Sequence, residues 1–141
     1  MIVYLDTSAL LKVLIAEDGS ELAAELWDRG DLRATSRIAY AEARAALASA
    51  TRTRSLSASA RATACDALDD RWEQLYRIDV SERLVRLAGD LAEEHGLRGY
   101  DAVHLASAVE AGADDALVVA TWDRELARAA VDRGLAVSPE R

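Results

Sequence analysis

Apolar residues along this chain follow two habits. Ile2 to Leu5 and Leu117 to Ala120 are short continuous apolar runs, the pattern of strands covered on both faces. Elsewhere the apolar positions recur at helical spacing: Leu22, Ala23, Leu26 and Trp27 fall on one face of a 3.6-residue period. Read this way, the chain predicts helices over Ala9–Ala16, residues 20–29, Ile38–Ala50, a stretch ending near Leu75, a stretch between Ser81 and Gly96, Ala102–Val109, and Arg124–Asp132. Between them lie weaker strand patterns at Leu32–Thr35, Tyr76–Val80 and, as an edge strand, Leu135–Val137. Thr35 or Ser36 is placed to cap the third helix and Ser81 the fifth, while Gly30, Gly96 and Gly134 stand where helices should stop. The stretch Thr51–Ser59 reads as a turn between helices, not a boundary, so residues 1–141 are expected to form one domain. Strands alternating with helices predict an α/β three-layer fold with a parallel sheet.

In such sheets ligands bind beyond the carboxyl ends of the strands. Asp6 and Asp123 follow predicted strands and belong on that edge. Glu42 and Asp101 would face the same edge from helices. The gaps between the four acids, 36, 59 and 22 residues, exclude local pairing, so only the fold can assemble them. Each also has a plainer reading. Asp6, Asp101 and Asp123 could be helix caps, and Glu42 could be a solvated glutamate paired with Arg37 or Arg44. Glu42 is the hardest to dismiss, because it sits mid-helix among alanines, where no terminus calls for an anion.

Composition changes this picture little. With 51 % hydrophobic and 30 % charged residues the chain can bury a core, and no uncharged run is long enough to span a bilayer. A single cysteine, Cys65, allows no intrachain disulfide. No basic segment precedes an apolar stretch at the start, so a cytoplasmic location is expected. Charge is more informative. The chain carries −8, yet residues 37–61 hold five arginines against Glu42, a local +4 that leaves −12 for the rest. Nonspecific coating of nucleic acid needs a basic face and is excluded for the molecule as a whole. One segment could still meet phosphates.

The acids argue for a hard cation. Two carboxylates about 4 Å apart repel by roughly 4 kcal/mol at an effective dielectric near 20, so a cluster needs a cation or raised pKa values. Mg²⁺ and Mn²⁺ take oxygen ligands. Zinc is disfavoured, with no Cys or His pair at ligand spacing. His95 and His104 are the only imidazoles, which argues against histidine-driven chemistry.

The phrases LDTSALLK around Asp6, AEARAAL around Glu42, YDAVHLASA around Asp101 and TWDREL around Asp123 resemble the four motif blocks of PIN domains, especially VapC-type toxins. The resemblance runs from Ile2 to about Val137. It implies a Rossmann-like α/β/α fold and a magnesium- or manganese-dependent endoribonuclease that hydrolyses RNA by metal-activated water. It also implies a homodimer held inactive by a cognate antitoxin protein. Carried over by position, Asp6, Glu42, Asp101 and Asp123 are the catalytic and metal-binding quartet, with Ser8 and Thr121 as supporting hydroxyls. Some members carry a further aspartate near the fourth acid, where this chain has Val118, Val119 and Ala120.

Other residues have two readings. His104, three residues after Asp101, is either a core histidine or a residue orienting that acid. Lys12, the only lysine, and Arg44, Arg52 and Arg54 are candidates for RNA phosphate contact, or else solvated surface. Arg44, at i+2 from Glu42, is expected to flank the groove. Trp27, Trp72 and Trp122 could stack bases; interior or interface packing is expected instead, except that Trp122 lies within the site block. Two rival functions fit the opening Asp6: a noncatalytic interaction module on the same fold, and a haloacid-dehalogenase-type phosphatase. The latter needs a second acid where Ser8 stands.

Overall fold

The structure, a computed structural model, describes residues 1–140. Twelve elements alternate as expected: β1 (Ile2–Leu5), α1 (Thr7–Leu14), α2 (Ser20–Arg29), β2 (Leu32–Ser36), α3 (Ile38–Arg52), α4 (Ala58–Trp72), β3 (Tyr76–Ile78), α5 (Glu82–His95), α6 (Gly99–Ala111), β4 (Leu117–Ala120), α7 (Arg124–Asp132) and β5 (Ala136–Ser138). The strands form one sheet in the order β3-β2-β1-β4-β5, every pair parallel.

The central strand shows how the sequence builds three layers. Successive side chains of a strand point to opposite faces. Ile2 and Tyr4 enter a core shared with Leu84 and Leu91 of α5, Leu105 of α6 and Leu126 of α7. Val3 and Leu5 enter a second core with Leu10 of α1, Leu26 and Trp27 of α2, Ala43 of α3 and Leu68 of α4. A helical layer therefore covers each face, and both residue sets must be apolar. That is why β1 and β4 read as continuous runs. Leu105 and Leu68 are fully buried, and truncating either to alanine should cost about 2–5 kcal/mol.

Several boundaries differ from expectation. The first helix begins at Thr7, because the Asp6 side chain accepts from the Ala9 amide and starts the turn. The sixth begins at Gly99 behind Arg98, which supplies no side-chain cap, so no sequence signal marked that start. Asp101 consequently lies inside the first turn of α6 and is not its cap. Thr35 is not a cap either: its hydroxyl donates to the Leu5 carbonyl at 2.7 Å and ties β2 to β1. Ser36 does accept from the Ile38 amide, at 3.3 Å. Ser81 caps α5, and Gly96 ends it in the left-handed region at φ 67°.

Candidate metal centre

β1 and β4 lie side by side, with Leu5 opposite Ala120, so the residues leaving their carboxyl ends are neighbours. Asp6 is buried there, 4 % exposed. One carboxylate oxygen accepts from the Ala9 amide at 2.9 Å and the Ser8 hydroxyl at 2.7 Å. The other accepts from the Thr121 hydroxyl at 2.6 Å. Ser8 also accepts from the Trp122 amide, and Thr121 from the Asp123 amide, so the two supporting hydroxyls lace β1 to the segment after β4. Burial pushes the Asp6 carboxyl above its ordinary value, although nearby His104 and the three donors pull the other way. Asp6 is thus both the cap of α1 and a buried acid.

Glu42 stands in the second turn of α3. Its Oε1 accepts from Thr7 Oγ1 and from His104 Nε2, each at 2.7 Å. Behind His104, the hydroxyl of Tyr4 lies 2.7 Å from Nδ1. Burial drives the Tyr4 phenol well above its ordinary pKa, so it keeps its proton. Nε2 carries a hydrogen and gives it to Glu42, so His104 links the Tyr4 hydroxyl to the Glu42 carboxylate. Burial alone would raise the Glu42 carboxyl. The His104 and Thr7 hydrogen bonds and the charge at His104 outweigh it, so the net shift is downward. The reading of His104 as an orienter of Asp101 is corrected: its hydrogen bonds go to Tyr4, Glu42 and, at 3.3 Å, Thr7.

The remaining two acids are held differently. Asp123 caps α7 by accepting from the Leu126 amide at 2.9 Å. Asp101 is raised above its ordinary value, first by burial and then by the charge of Asp123. Between them sits Arg98, Nε 3.3 Å from Asp101 and Nη2 3.8 Å from Asp123. Electrostatically the four acids are linked, because His104 acts on Asp6, Glu42 and Asp101, and Asp123 acts on Asp101.

The donor chemistry suits a hard divalent cation: four carboxylates and three hydroxyls on one sheet edge, two of the acids already disfavoured as anions. Among the described residues no three Asp, Glu, His or Cys side chains close around a single point. Mg²⁺ does not require that, since it keeps several waters and typically takes one or two carboxylates directly. The residues therefore fit a hard divalent ion.

The basic candidates lie elsewhere. Lys12 donates to Glu17 at 3.0 Å and to the Asp18 carbonyl at 2.7 Å, lies over the Trp122 ring and is only 14 % exposed. It fastens the end of α1 and is not free for phosphate. Arg44 does not flank the groove: two residues correspond to roughly 200° around a helix. It reaches the Tyr40 hydroxyl, itself bonded to Asp69 of α4. Arg52 is on the same helix as Glu42, about 15 Å farther along its axis, and Arg54 is exposed in the turn beyond. Trp27 is buried between Arg33 and Arg71, and Trp72 packs edge-on against Tyr40. Sequence reasoning missed Tyr4, Thr7 and Arg98. Thr7 and Arg98 stood beside motif acids; Tyr4 was concealed by its strand's apolar pattern.

A PIN-domain family model matches residues 3–132. The chain belongs to the PIN-domain family. It is 46 % identical over 138 residues to two Mycobacterium tuberculosis proteins, ribonuclease VapC45 and ribonuclease VapC49, covering 98 % of this chain and 95 % of each relative. Among solved structures it resembles PAE2754 of Pyrobaculum aerophilum, with a TM-score of 0.68, 21 % identity, and 97 % and 83 % of the two chains covered. It also resembles VapC20 of M. tuberculosis, described as a sarcin-ricin loop cleaving toxin: TM-score 0.68, 18 % identity, 90 % and 94 % covered. A third is VapBC2 of Rickettsia felis bound to a promoter DNA fragment: TM-score 0.66, 19 % identity, 98 % of each chain covered. At these identities the structural likenesses speak for the fold.

Proposed function

We propose that this chain is an endoribonuclease, the toxin of a VapBC-type pair, which hydrolyses RNA phosphodiester bonds at the edge carrying Asp6, Glu42, Asp101 and Asp123. The ribonuclease class rests on the family match and the relatives aligned over nearly the whole length. The phosphatase alternative falls with it. The observation that carries the mechanism is the gathering of four carboxylates, from four separate segments, around His104 and Arg98.

Asp6, Glu42, Asp101 and Asp123 would hold Mg²⁺, with Mn²⁺ able to replace it. When bound, the ion supplies a water of lowered pKa as nucleophile and neutralises charge at the phosphate. The protein's part is to hold oxygens in place before the ion arrives. Ser8, Thr121 and the Ala9 amide fix Asp6 by three hydrogen bonds. Thr7 and His104 hold Glu42 ionised at Oε1. Water attack should leave 5′-phosphate and 3′-hydroxyl ends. The test is cleavage of RNA with and without EDTA, followed by end mapping; undiminished cleavage in EDTA, or 2′,3′-cyclic phosphate ends, would defeat the mechanism. Metal at about 100 times its Kd should also stabilise the protein by roughly 2.7 kcal/mol.

Further features of this reading are one PIN domain over residues 1–141, a homodimer, a cytoplasmic setting and a cognate antitoxin protein as partner. Among the described residues no helix is long and apolar enough to cross a membrane. Arg52 and Arg54 remain proposed RNA contacts outside the catalytic edge. Co-expression with the protein encoded by the neighbouring reading frame, followed by co-purification and inhibition of cleavage, tests the partnership.

A further inference from the structure

We infer that Arg98 is a substrate-contact residue: it occupies the mouth of the Asp101–Asp123 pair as a countercharge and is released by the arriving cation to bind an RNA phosphate. This rests on the proposed metal-dependent ribonuclease reading. It concerns an arginine outside the basic segment 37–61, the one that meets two of the four carboxylates.

The contact is built to break. Arg98 offers Nε to Asp101 at 3.3 Å and Nη2 to Asp123 at 3.8 Å, one nitrogen to each acid. Neither is the short bidentate fork that makes arginine–carboxylate pairs strong. The side chain is 83 % exposed, and exposed pairs of this kind contribute little to stability. As a structural pin it is badly placed. As a temporary countercharge it is well placed, because Asp101 and Asp123 repel each other across the same gap. A divalent cation settling on these acids cancels the charge that holds the guanidinium and adds repulsion. Among the described residues Arg98 forms ion pairs with these two acids alone, so once displaced its long side chain lacks an anionic partner, while an RNA backbone drawn to the site brings one. The guanidinium fork suits phosphate oxygens.

Lys12, Arg44, Arg52 and Arg54 offer no equal. Lys12 is pinned, Arg44 is turned to Tyr40, and the other two lie beyond the end of the helix turn that carries Glu42. Arg98 also leads directly into α6, so its backbone moves as one with Asp101.

The proposal is tested by two affinities that should move in opposite directions. Calorimetric titration of Mg²⁺ into RNA-free Arg98→Gln should show binding about fivefold tighter than in the unchanged protein, since a competing cation is gone. Anisotropy with a labelled 20-nucleotide mixed-sequence RNA, checked by gel for intactness and measured in Mg²⁺, should show binding about tenfold weaker. Its salt slope should fall by about 0.7, one phosphate on a single strand. Arg98→Lys should restore most RNA binding and the original metal affinity. A merely structural role would weaken both affinities and lower Tm; a mere competitor role would tighten metal and leave RNA binding unchanged. Either result overturns the proposal and leaves the ribonuclease reading standing. Failure of the unchanged protein to bind Mg²⁺ at all overturns both.

Discussion

The carboxylate edge has two unlike halves. Asp6 and Glu42 are set in protein: five hydrogen bonds from Ala9, Ser8, Thr121, Thr7 and His104 fix their oxygens. Asp101 and Asp123 are partly buried, as Glu42 is, but they share one exposed arginine. The first half is rigid before any ligand arrives, and its geometry is fixed when the core packs. The second half is adjustable, and its charge balance is left for a ligand to complete. A hydrolytic site needs both, since preorganised oxygens lower the cost of ion binding while the open side must admit a bulky polymer.

The sharpest way to break the contrast is at Asp6. Asp6→Asn keeps an oxygen able to accept from the Ala9 amide, so the cap and fold survive. A ligand charge is lost. Cleavage should fall at least about 100-fold and metal affinity by about 10- to 100-fold, measured by initial rates and calorimetry. The metal-free protein should be as stable as the original or more so at neutral pH. The sign follows from burial: Asp6 has its folded pKa raised, so the folded state binds its proton more tightly than the unfolded chain. Stability is then greatest below the unfolded value and declines as pH rises through the folded one. A large loss of metal-free stability in Asp6→Asn would mean that this acid serves the fold first.

Next in size is the relay behind Glu42. Tyr4→Phe removes the hydroxyl that pairs with His104 Nδ1 and leaves a buried nitrogen unpaired, at a cost of about 1–3 kcal/mol. Freed of that partner, His104 should hold Glu42 less well, and cleavage should drop about tenfold. Nitrogen-15 shifts of the His104 ring in the metal-free protein report the tautomer directly. An unchanged shift pattern would show that Tyr4 only fills space.

How far the sequence foretold these halves depends on the kind of signal. Asp6 and Asp123 were legible because strands ending in an aspartate at a helix start leave little choice of edge. The layers were legible in the unbroken IVYL and LVVA runs, which only two-sided burial explains. The start of α6 was not, since Arg98 supplies no cap and Gly99 and Tyr100 carry no helix-start mark. With that start misplaced, Asp101 read equally well as a cap. Tyr4 reads as one more apolar strand residue, and nothing local says that its hydroxyl meets a histidine 100 positions away. Arg44 was misjudged through nearness in sequence, where the helical angle was the better guide.

Glu42 and Asp101 of the metal-free protein should respond to pH in opposite senses. Glu42 has its folded pKa lowered, because His104 and Thr7 outweigh its burial. Its contribution is therefore present above the unfolded carboxylate value and is lost as pH falls through the folded one. Asp101 is shifted the other way, by burial and by Asp123, so its ionisation weakens the fold as pH rises through its folded value. Thermal melts in EDTA from about pH 3 to 8, an interval bracketing ordinary carboxylate values, should separate them. Glu42→Gln should lower Tm at the neutral end, by an amount corresponding to roughly 1 kcal/mol, and converge with the original at the acid end. Asp101→Asn should raise Tm at the neutral end and converge likewise. Equal signs for the two substitutions would erase the distinction between a satisfied half and an unsatisfied one.

The smallest expected effect lies farthest from the edge. Arg52 and Arg54 stand at and beyond the end of α3, where exposed side chains meet solvent and no acid of the quartet. If they touch RNA, they do so as additive phosphate contacts that carry no sequence preference. Replacing both with alanine should flatten the salt dependence of RNA binding by roughly 0.7 to 1.4 units of slope, about equally for every RNA tested. The rate at saturating RNA should stay the same, because neither the ion nor the scissile phosphate is theirs to hold. The contrast with Arg98 is the useful part. Its removal should alter metal affinity, and theirs should not, so calorimetry on the double variant separates a grip on the polymer from a residue of the edge. A shifted Mg²⁺ affinity in Arg52→Ala/Arg54→Ala would place the basic segment inside the site's electrostatics.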